Sequence, residues 1–362
     1  MIELQLKSAP VIDRYDWEVL SCLDRTLATV AYTLHGQSFW QFVFNKYELS
    51  DGLRKYIDVK IGDANYYHTV CARAGVKLTF NRLAYSDAHQ FILNGLERGE
   101  YPIVIINDKL RPLSKHYGVK NHGFFVLIYG YDVQKDEYLT YDLPLEKEFW
   151  RIEKSANGIV YERQRLSRQT LFSYCDREYL PAIGGLEDDV TVNTGRDVAV
   201  LVVGDASPCE VVPAEALLKT ELQAIIVDSK GHYKYVENLL NRFLIFFDER
   251  YSGQFNISLS DVKRIEEHDT EGLKQLLFYP YELKLVCWHE AHIKMLVKTL
   301  PFLGIEAPEL LNTLFRRHTT LKFELIRTIV RHDKKELESV LQKLLELIDG
   351  ETQCYKEICD KL

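Results

Sequence analysis

The 362-residue chain lacks several features that would place it in a specialised class of protein. No apolar run reaches the roughly 18 residues that a membrane span requires, so we expect no membrane partner. No internal repeat and no low-complexity segment is present. Residues 1–17 contain three acids and no long apolar stretch, and a secretory signal is therefore not expected.

An excess of positive charge is also missing. Lys and Arg number 45 against 53 Asp and Glu, which gives a net charge of −8 and argues against a dedicated nucleic-acid binder. The seven cysteines follow no regular spacing and are odd in number, so they do not predict a disulfide framework. Without an export signal, this usage indicates reduced thiols and a cytoplasmic location.

What is present is the composition of an ordinary globular protein, with 46 % hydrophobic and 27 % charged residues. The length predicts about two domains. We expect a first domain over residues 1–230, with its core motifs in 15–145 and a β-rich extension in 146–230. A helical region over 231–362 follows, with Gly350 as the C-cap of a leucine-rich helix.

The segment that begins at Ser21 matches the pattern of a capped, buried helix. Asp24 follows Ser21 at the spacing of a capping box, and Gly36 supplies a stop. Apolar residues recur on one helical face at Leu23, Leu27, Val30, Ala31 and Leu34. Cys22 therefore lies in the first turn of a predicted helix. Free N–H groups and the helix dipole lower the pKa of a thiol there and favour the nucleophilic thiolate.

A histidine further along the chain is placed to act as the base that this thiolate needs. Residues 87–99 predict a helix with Ser86 as its cap, and Tyr101–Ile106 predict a short apolar strand. After a loop, His122 opens an apolar, β-branched run that ends at Asp132. An imidazole in this position is typical of a base at the end of a buried strand.

An acid that would orient the imidazole follows the next predicted strand. A turn over residues 132–136 leads into a strand over 137–141, and Asp142 comes next, shortly before Pro144. We expect the two strands to pair as a hairpin that brings Asp142 near His122. The acid would then fix the imidazole tautomer, which completes a nucleophile, base and orienter arrangement.

Together these motifs resemble a known family. A cysteine capping a central helix, a strand that opens with histidine and closes in Gly-Tyr-Asp, and an acid before proline are similar to the papain-like fold. Ser21–Val30 resembles the cysteine motif of the butirosin-biosynthesis protein H family, and Asn121–Val126 with Gly130–Asp132 resembles its histidine motif. The resemblance covers residues 15–145. It implies an α+β fold, in which a papain-like N-terminal domain has a central helix and an antiparallel sheet, before the β-containing section and the helical C-terminal region.

The resemblance implies a cysteine-dependent acyltransferase. An acyl group would pass from an acyl-carrier-protein thioester to the enzyme cysteine and then to an amine, which is an aminoglycoside in the namesake. Cys22 would be the nucleophile, His122 the base and then the acid, and Asp142 the orienter. The Cys22 N–H would be one oxyanion donor, and Asn121 is a candidate helper.

The implied partners are an acyl carrier protein or peptidyl carrier domain and an amine-bearing small molecule or peptide. No cofactor is expected beyond the phosphopantetheine that the carrier brings, and no metal.

Two other functions use the same residues or the same fold. A papain-like cysteine peptidase or amidase would pass the Cys22 acyl group to water. A noncatalytic interaction protein would keep Cys22 as a core thiol, His122 as a strand histidine and Asp142 as a turn acid. The sequence leaves these alternatives open.

Two further patterns have simpler interpretations. His289 and His292 lie three positions apart, whereas the zinc-binding pattern that they resemble needs four, so a helix face is favoured. Basic residues in the middle and C-terminal sections indicate either solvated faces or a docking patch for an acidic carrier protein. They are Arg163, Arg165, Arg168, Arg316, Arg317, Arg331, Lys334 and Lys335.

Overall fold

A computed structural model of the chain describes residues 1–7, 14–15, 22–44, 64–112, 117–118, 123–142, 159–160, 162–175, 197–206, 212–227, 230, 234, 237, 293–331 and 334–362. Within these ranges, seven strands form one antiparallel sheet and two short strands form a separate pair. The α+β class and the antiparallel sheet expected from the sequence are confirmed.

The strands of the large sheet are β1 (Ile2–Glu3), β3 (Val76–Ala84), β4 (Tyr101–Asn107), β5 (Gly123–Asp132), β6 (Glu137–Asp142), β8 (Glu162–Ser167) and β9 (Asp197–Asp205). The separate pair consists of β2 (Arg14–Tyr15) and β7 (Ile159–Val160). The helices are α1 (Cys22–His35), α2 (Trp40–Phe44), α3 (Ala64–Arg73), α4 (Tyr85–Glu97), α5 (Arg168–Ser173), α6 (Ala214–Val227), α7 (Glu309–Arg331) and α8 (Lys334–Lys361).

The sheet runs in the order β3-β9-β4-β5-β6-β8, and β1 pairs with the distal part of β5. All seven residues of β4 are buried, which explains why its sequence is apolar without alternation: both of its faces are covered. Strand β5 begins beside the end of β4, where Gly123 pairs with Asn107. Helix α1 contacts β5 and β9.

Helix α1 has the bounds that its sequence predicts. It begins at Cys22 and ends at His35, and Gly36 follows with a φ of 60°, a conformation that glycine adopts without strain. Leu27 and Ala28 are fully buried. The aromatic residues that come after the helix are buried in the core: Phe39, Trp40, Phe42 and Phe44.

The predicted hairpin is also confirmed. Strand β5 ends at Asp132 and β6 begins at Glu137, and Asp136 in the turn has a φ of 55°. The apolar run near residue 200, in the β-rich section, forms β9 and lies between β3 and β4. The sequence alone gives no indication of that central place in the sheet.

The chain divides into two compact units. One contains Met1–Tyr47 and Arg54–Leu217, and the other contains Glu48–Leu53 and Leu218–Leu362. The division thus falls inside α6 at residue 217, whereas the sequence predicts residue 230. In the described part of the second unit, α7 and α8 pack against each other. Gly350 does not cap a helix as predicted, because α8 continues through it to Lys361.

Candidate active site

Cys22 is the first residue of α1. Its backbone therefore has the helix-start position in which N–H groups lack partners within the helix, as the sequence predicts. Its side chain lies outside the described part of the structure. A backbone N–H in this position is available to a developing oxyanion, and the helix dipole favours a negative charge there.

His122 and Asn121 both lie outside the described residues. Gly123, the next residue, is the first of β5 and pairs with Asn107 at the end of β4.

Asp142 is the last residue of β6, and its side chain is fully buried. It pairs with Glu162 of β8, and its carbonyl oxygen accepts a hydrogen bond from Gln164 Nε2 at 3.1 Å. The recorded β5–β6 pairs end at Leu127 and Tyr141. One more step in this register puts Asp142 level with residue 126, four positions from His122, so the contact between Asp142 and His122 stays a prediction.

A buried ion pair lies at the end of β4 and was not predicted from the sequence. Asp108 and Arg111 are 6 % and 3 % exposed, and Arg111 Nη1 is 3.3 Å from Asp108 Oδ1. The Arg111 guanidinium also lies over the ring of Phe124, 5.2 Å from its centroid. The signal in the sequence is weak: an acid and a base three positions apart, directly after an apolar strand.

The first turn of α1 is polar as well as buried. Asp24 is 1 % exposed and Arg25 is fully buried. Further along the helix, Thr29 Oγ1 donates to the Arg25 carbonyl at 2.9 Å and Thr33 Oγ1 donates to the Thr29 carbonyl at 2.8 Å. The sequence gives a hint, because Asp24 and Arg25 interrupt an otherwise apolar helix, but it does not show that both are enclosed.

Three of the described thiols are in environments that suppress reactivity. Burial, together with the nearby Asp24 carboxylate, raises the pKa of Cys71 far above its ordinary value. Burial raises the pKa of Cys175 to about 12, and burial with the neighbouring Glu357 and Glu351 carboxylates raises that of Cys354 to about 12. These thiols therefore stay protonated near neutral pH, when they are poor nucleophiles.

The basic residues of the middle section have partners. Arg165 Nη1 is 3.0 Å from Asp132 Oδ2, and Arg168 Nη2 is 3.0 Å from Asp136 Oδ2. Arg163 Nη2 donates to the Leu6 carbonyl at 2.7 Å. These contacts favour the interpretation of the middle-section basic residues as a solvated face over a docking patch for an acidic carrier protein.

The histidines of the zinc-like pattern, His289 and His292, lie outside the described residues, as does Cys287. Among the side chains that are described, no group of three or more His, Cys, Asp or Glu residues is arranged to hold a metal ion. No helix in the described ranges has both the length and the apolar character needed to cross a membrane.

No protein-family model matches the sequence, and no curated protein matches it either.

Proposed function

We propose that the protein is a cysteine-dependent acyltransferase with a papain-like catalytic domain, similar to the butirosin-biosynthesis protein H family. The observation that carries the proposal is the start of α1 at Cys22, in a helix that contacts the strand directly following His122. A thiol that begins a buried helix beside an antiparallel sheet is in a position suited to nucleophilic catalysis.

The proposed reaction has two half-reactions that use the same sulfur. The Cys22 thiolate attacks the carbonyl carbon of a carrier-bound thioester, and the tetrahedral intermediate expels the carrier thiol, to which His122 gives a proton. An amine then attacks the acyl-enzyme and His122 removes the proton from its nitrogen. The C–S bond breaks, the amide forms and the thiolate–imidazolium pair is restored.

The Cys22 backbone N–H is the proposed oxyanion donor, since it lies at the start of α1, and Asn121 remains a candidate helper. Asp142 is the proposed orienter; it is a fully buried acid on the strand that pairs with β5. Burial lowers the local dielectric constant, which strengthens an interaction between a carboxylate and an imidazolium.

Intact-mass spectrometry after mixing with an acylated carrier protein tests the proposal. Wild-type protein should gain the mass of one acyl group, on the peptide that contains Cys22, and the Cys22→Ala variant should gain none. Cys71→Ala is the matched control and should be acylated like wild type, because the Cys71 thiol is buried and protonated. A carrier that stays loaded at high enzyme concentration would contradict the proposal.

Transfer is distinguished from hydrolysis by how the acyl-enzyme partitions between an added amine and water. Amide formed with added amine, in excess over free acid, supports transfer. Free acid alone, whatever amine is added, would mean that the chain is instead a papain-like hydrolase.

A further inference from the structure

We propose that the outer face of α7 is the docking surface for an acidic carrier protein. The inference rests on the proposed function and deepens it, because the sequence leaves the C-terminal basic residues as either a solvated face or a docking patch. This arginine face consists of six exposed residues: Arg316, Arg317, Thr320, Phe323, Arg327 and Arg331.

The six residues form one stripe along the helix. From Arg317 onwards, successive members are three or four positions apart, which is the spacing of neighbours on one helical face. At 1.5 Å per residue the stripe is about 22 Å long. Leu314, Leu321 and Leu325 of the same helix are buried, and α7 packs against α8. The stripe is therefore presented on a helix that is supported by its neighbour.

The charge of the stripe is of one sign, although the whole chain has a net charge of −8. Between residues 316 and 331, every exposed charged side chain that the structure describes is an arginine. The half-buried Glu324 is occupied by Lys343, whose Nζ is 3.3 Å from Glu324 Oε2. A local positive stripe on a negative protein attracts an acidic partner to one place on the surface.

Most of these arginines differ from the basic residues of the middle section, which contact aspartates. Arg327 Nη2 is 2.8 Å from Glu336 Oε1, but within the described ranges no ion pair involves Arg316, Arg317 or Arg331. The helix dipole favours a cation at Arg331, in the last turn, and does not extend to Arg316 and Arg317. A partner with carboxylates would supply the missing counter-charge.

An apolar centre separates the two pairs of arginines. Phe323 is 62 % exposed, and the Thr320 hydroxyl donates to the Arg316 carbonyl at 2.9 Å, so this hydroxyl is already satisfied within the helix. Aromatic residues and arginines dominate the binding energy of protein interfaces. The complementary surface is a helix with acids on both sides of an apolar residue. A protein is favoured over a nucleic acid, because the net negative chain repels a uniformly charged polyanion.

Binding of a fluorescently labelled apo carrier, measured by anisotropy on the full-length Cys22→Ala protein, tests the surface without any acyl chemistry. Arg316→Glu/Arg317→Glu should weaken binding about 10-fold or more, and added salt should reduce the affinity of the parent protein. The neutral Arg316→Gln/Arg317→Gln variant should give a smaller loss. Phe323→Ala should weaken binding about 5- to 10-fold.

A matched control changes the net charge equally at another place. Lys77 of β3 and Lys135 of the β5–β6 turn are exposed, and Lys77→Glu/Lys135→Glu should keep the affinity within about 2-fold. All of these substitutions are at exposed positions, and circular dichroism should show a folded protein for each. Equal losses in the two double Glu variants would reflect general charge repulsion and would overturn the inference.

Acylation of Cys22 in the otherwise unchanged protein provides the second readout. Arg316→Glu/Arg317→Glu should slow acylation from the carrier about 10-fold at low carrier concentration. The rate from a soluble acyl-pantetheine thioester should be unchanged, because this small donor lacks the carrier's protein surface.

The possible outcomes separate the two proposals. Carrier binding that is unaffected by the arginine substitutions, with Cys22 acylated by the small thioester, would overturn the docking surface and leave the proposed function standing. Carrier binding that requires the arginines, without acylation from either donor, would support the docking surface and overturn the proposed function. Binding of a single-stranded oligonucleotide at this face, with no binding of the carrier, would also overturn the inference.

Discussion

Charged side chains are buried in both compact units, but in different surroundings. In the first unit they lie at the ends of elements: Asp24 and Arg25 in the first turn of α1, and Asp108 directly after β4. In the second unit they lie within helices: Glu221 in α6, and Glu351 in the long helix α8. His318 Nε2 is 2.7 Å from Glu351 Oε1, and Tyr355 donates its hydroxyl proton to Glu351 Oε2 at 3.0 Å.

The position of a buried charge, at the end of an element or within a helix, bears on whether it can act on a bound group. The end of a helix or strand has backbone N–H and C=O groups without partners in the element, so charge there can act on a bound group. His318 and Glu351 are each 1 % exposed and contact one another between two packed helices. We therefore assign the His318–Glu351–Tyr355 cluster to stability.

Removal of one member of the second cluster should produce the largest effect on stability. Glu351→Leu leaves a buried imidazole and a buried hydroxyl without their acceptor, and we expect a loss of about 3–5 kcal/mol in the free energy of unfolding, measured with urea. The His318→Leu/Glu351→Leu double variant should recover much of that loss. The rate of Cys22 alkylation should be unchanged. A variant that stays folded but loses this reactivity would contradict the assignment of the cluster to stability.

Replacing a glycine by alanine should affect stability differently in the sheet and in the pair of long helices. A Cβ on Gly130 would lie 2.6 Å from the Ile2 carbonyl oxygen, so Gly130→Ala should displace β1 and cost about 1–3 kcal/mol. Hydrogen exchange should quicken at the Leu4 N–H, which donates to the Tyr129 carbonyl at 2.7 Å.

A Cβ on Gly350 meets only an ordinary contact, at 3.5 Å from Leu314, so Gly350→Ala should be neutral or stabilise the protein by up to about 1 kcal/mol. Equal effects at the two positions would contradict this account.

A smaller effect should follow from the pH dependence of stability in the first unit. Burial and, to a lesser degree, Arg168 lower the pKa of His89, whose Nδ1 is 2.6 Å from the Tyr138 hydroxyl; Asp136 acts in the opposite direction. Below the ordinary pKa of about 6.5 the unfolded chain binds the proton more readily than the folded one. Stability should therefore fall as the pH falls through this value.

Thermal unfolding at about pH 8 and about pH 5 measures this contribution. His89→Gln should reduce the difference between the two melting temperatures. The exposed His68 of α3 provides the control, and His68→Gln should leave the difference as it is in wild type.

Local patterns in the sequence were sufficient to predict much of the first unit. The bounds of α1 follow from apolar spacing and the stop at Gly36, and the β5–β6 hairpin follows from two apolar runs around a short polar turn. Both features depend on neighbouring residues, which is why they can be recognised without tertiary contacts.

Predictions that depended on tertiary context were less successful. Ser86 does not cap α4 as predicted: its hydroxyl donates to Asp87, and the helix begins at Tyr85 directly after β3. Pairing of β3 with β9 holds the backbone extended as far as Ala84, so the helix starts without a polar cap. The Asp108–Arg111 pair was missed because only the folded sheet encloses these residues.

The pH dependence of Cys22 alkylation by iodoacetamide, followed on the peptide that contains Cys22, tests the central claim most directly. A thiolate held at the start of α1 beside an imidazole should react at pH 6 within a few-fold of its rate at pH 8. Cys71 and Cys354, whose pKa values burial raises, should react slowly and provide an internal reference. A rate at Cys22 that falls by about 75-fold between these two pH values, as for an ordinary thiol with a pKa of about 8.5, would contradict the account.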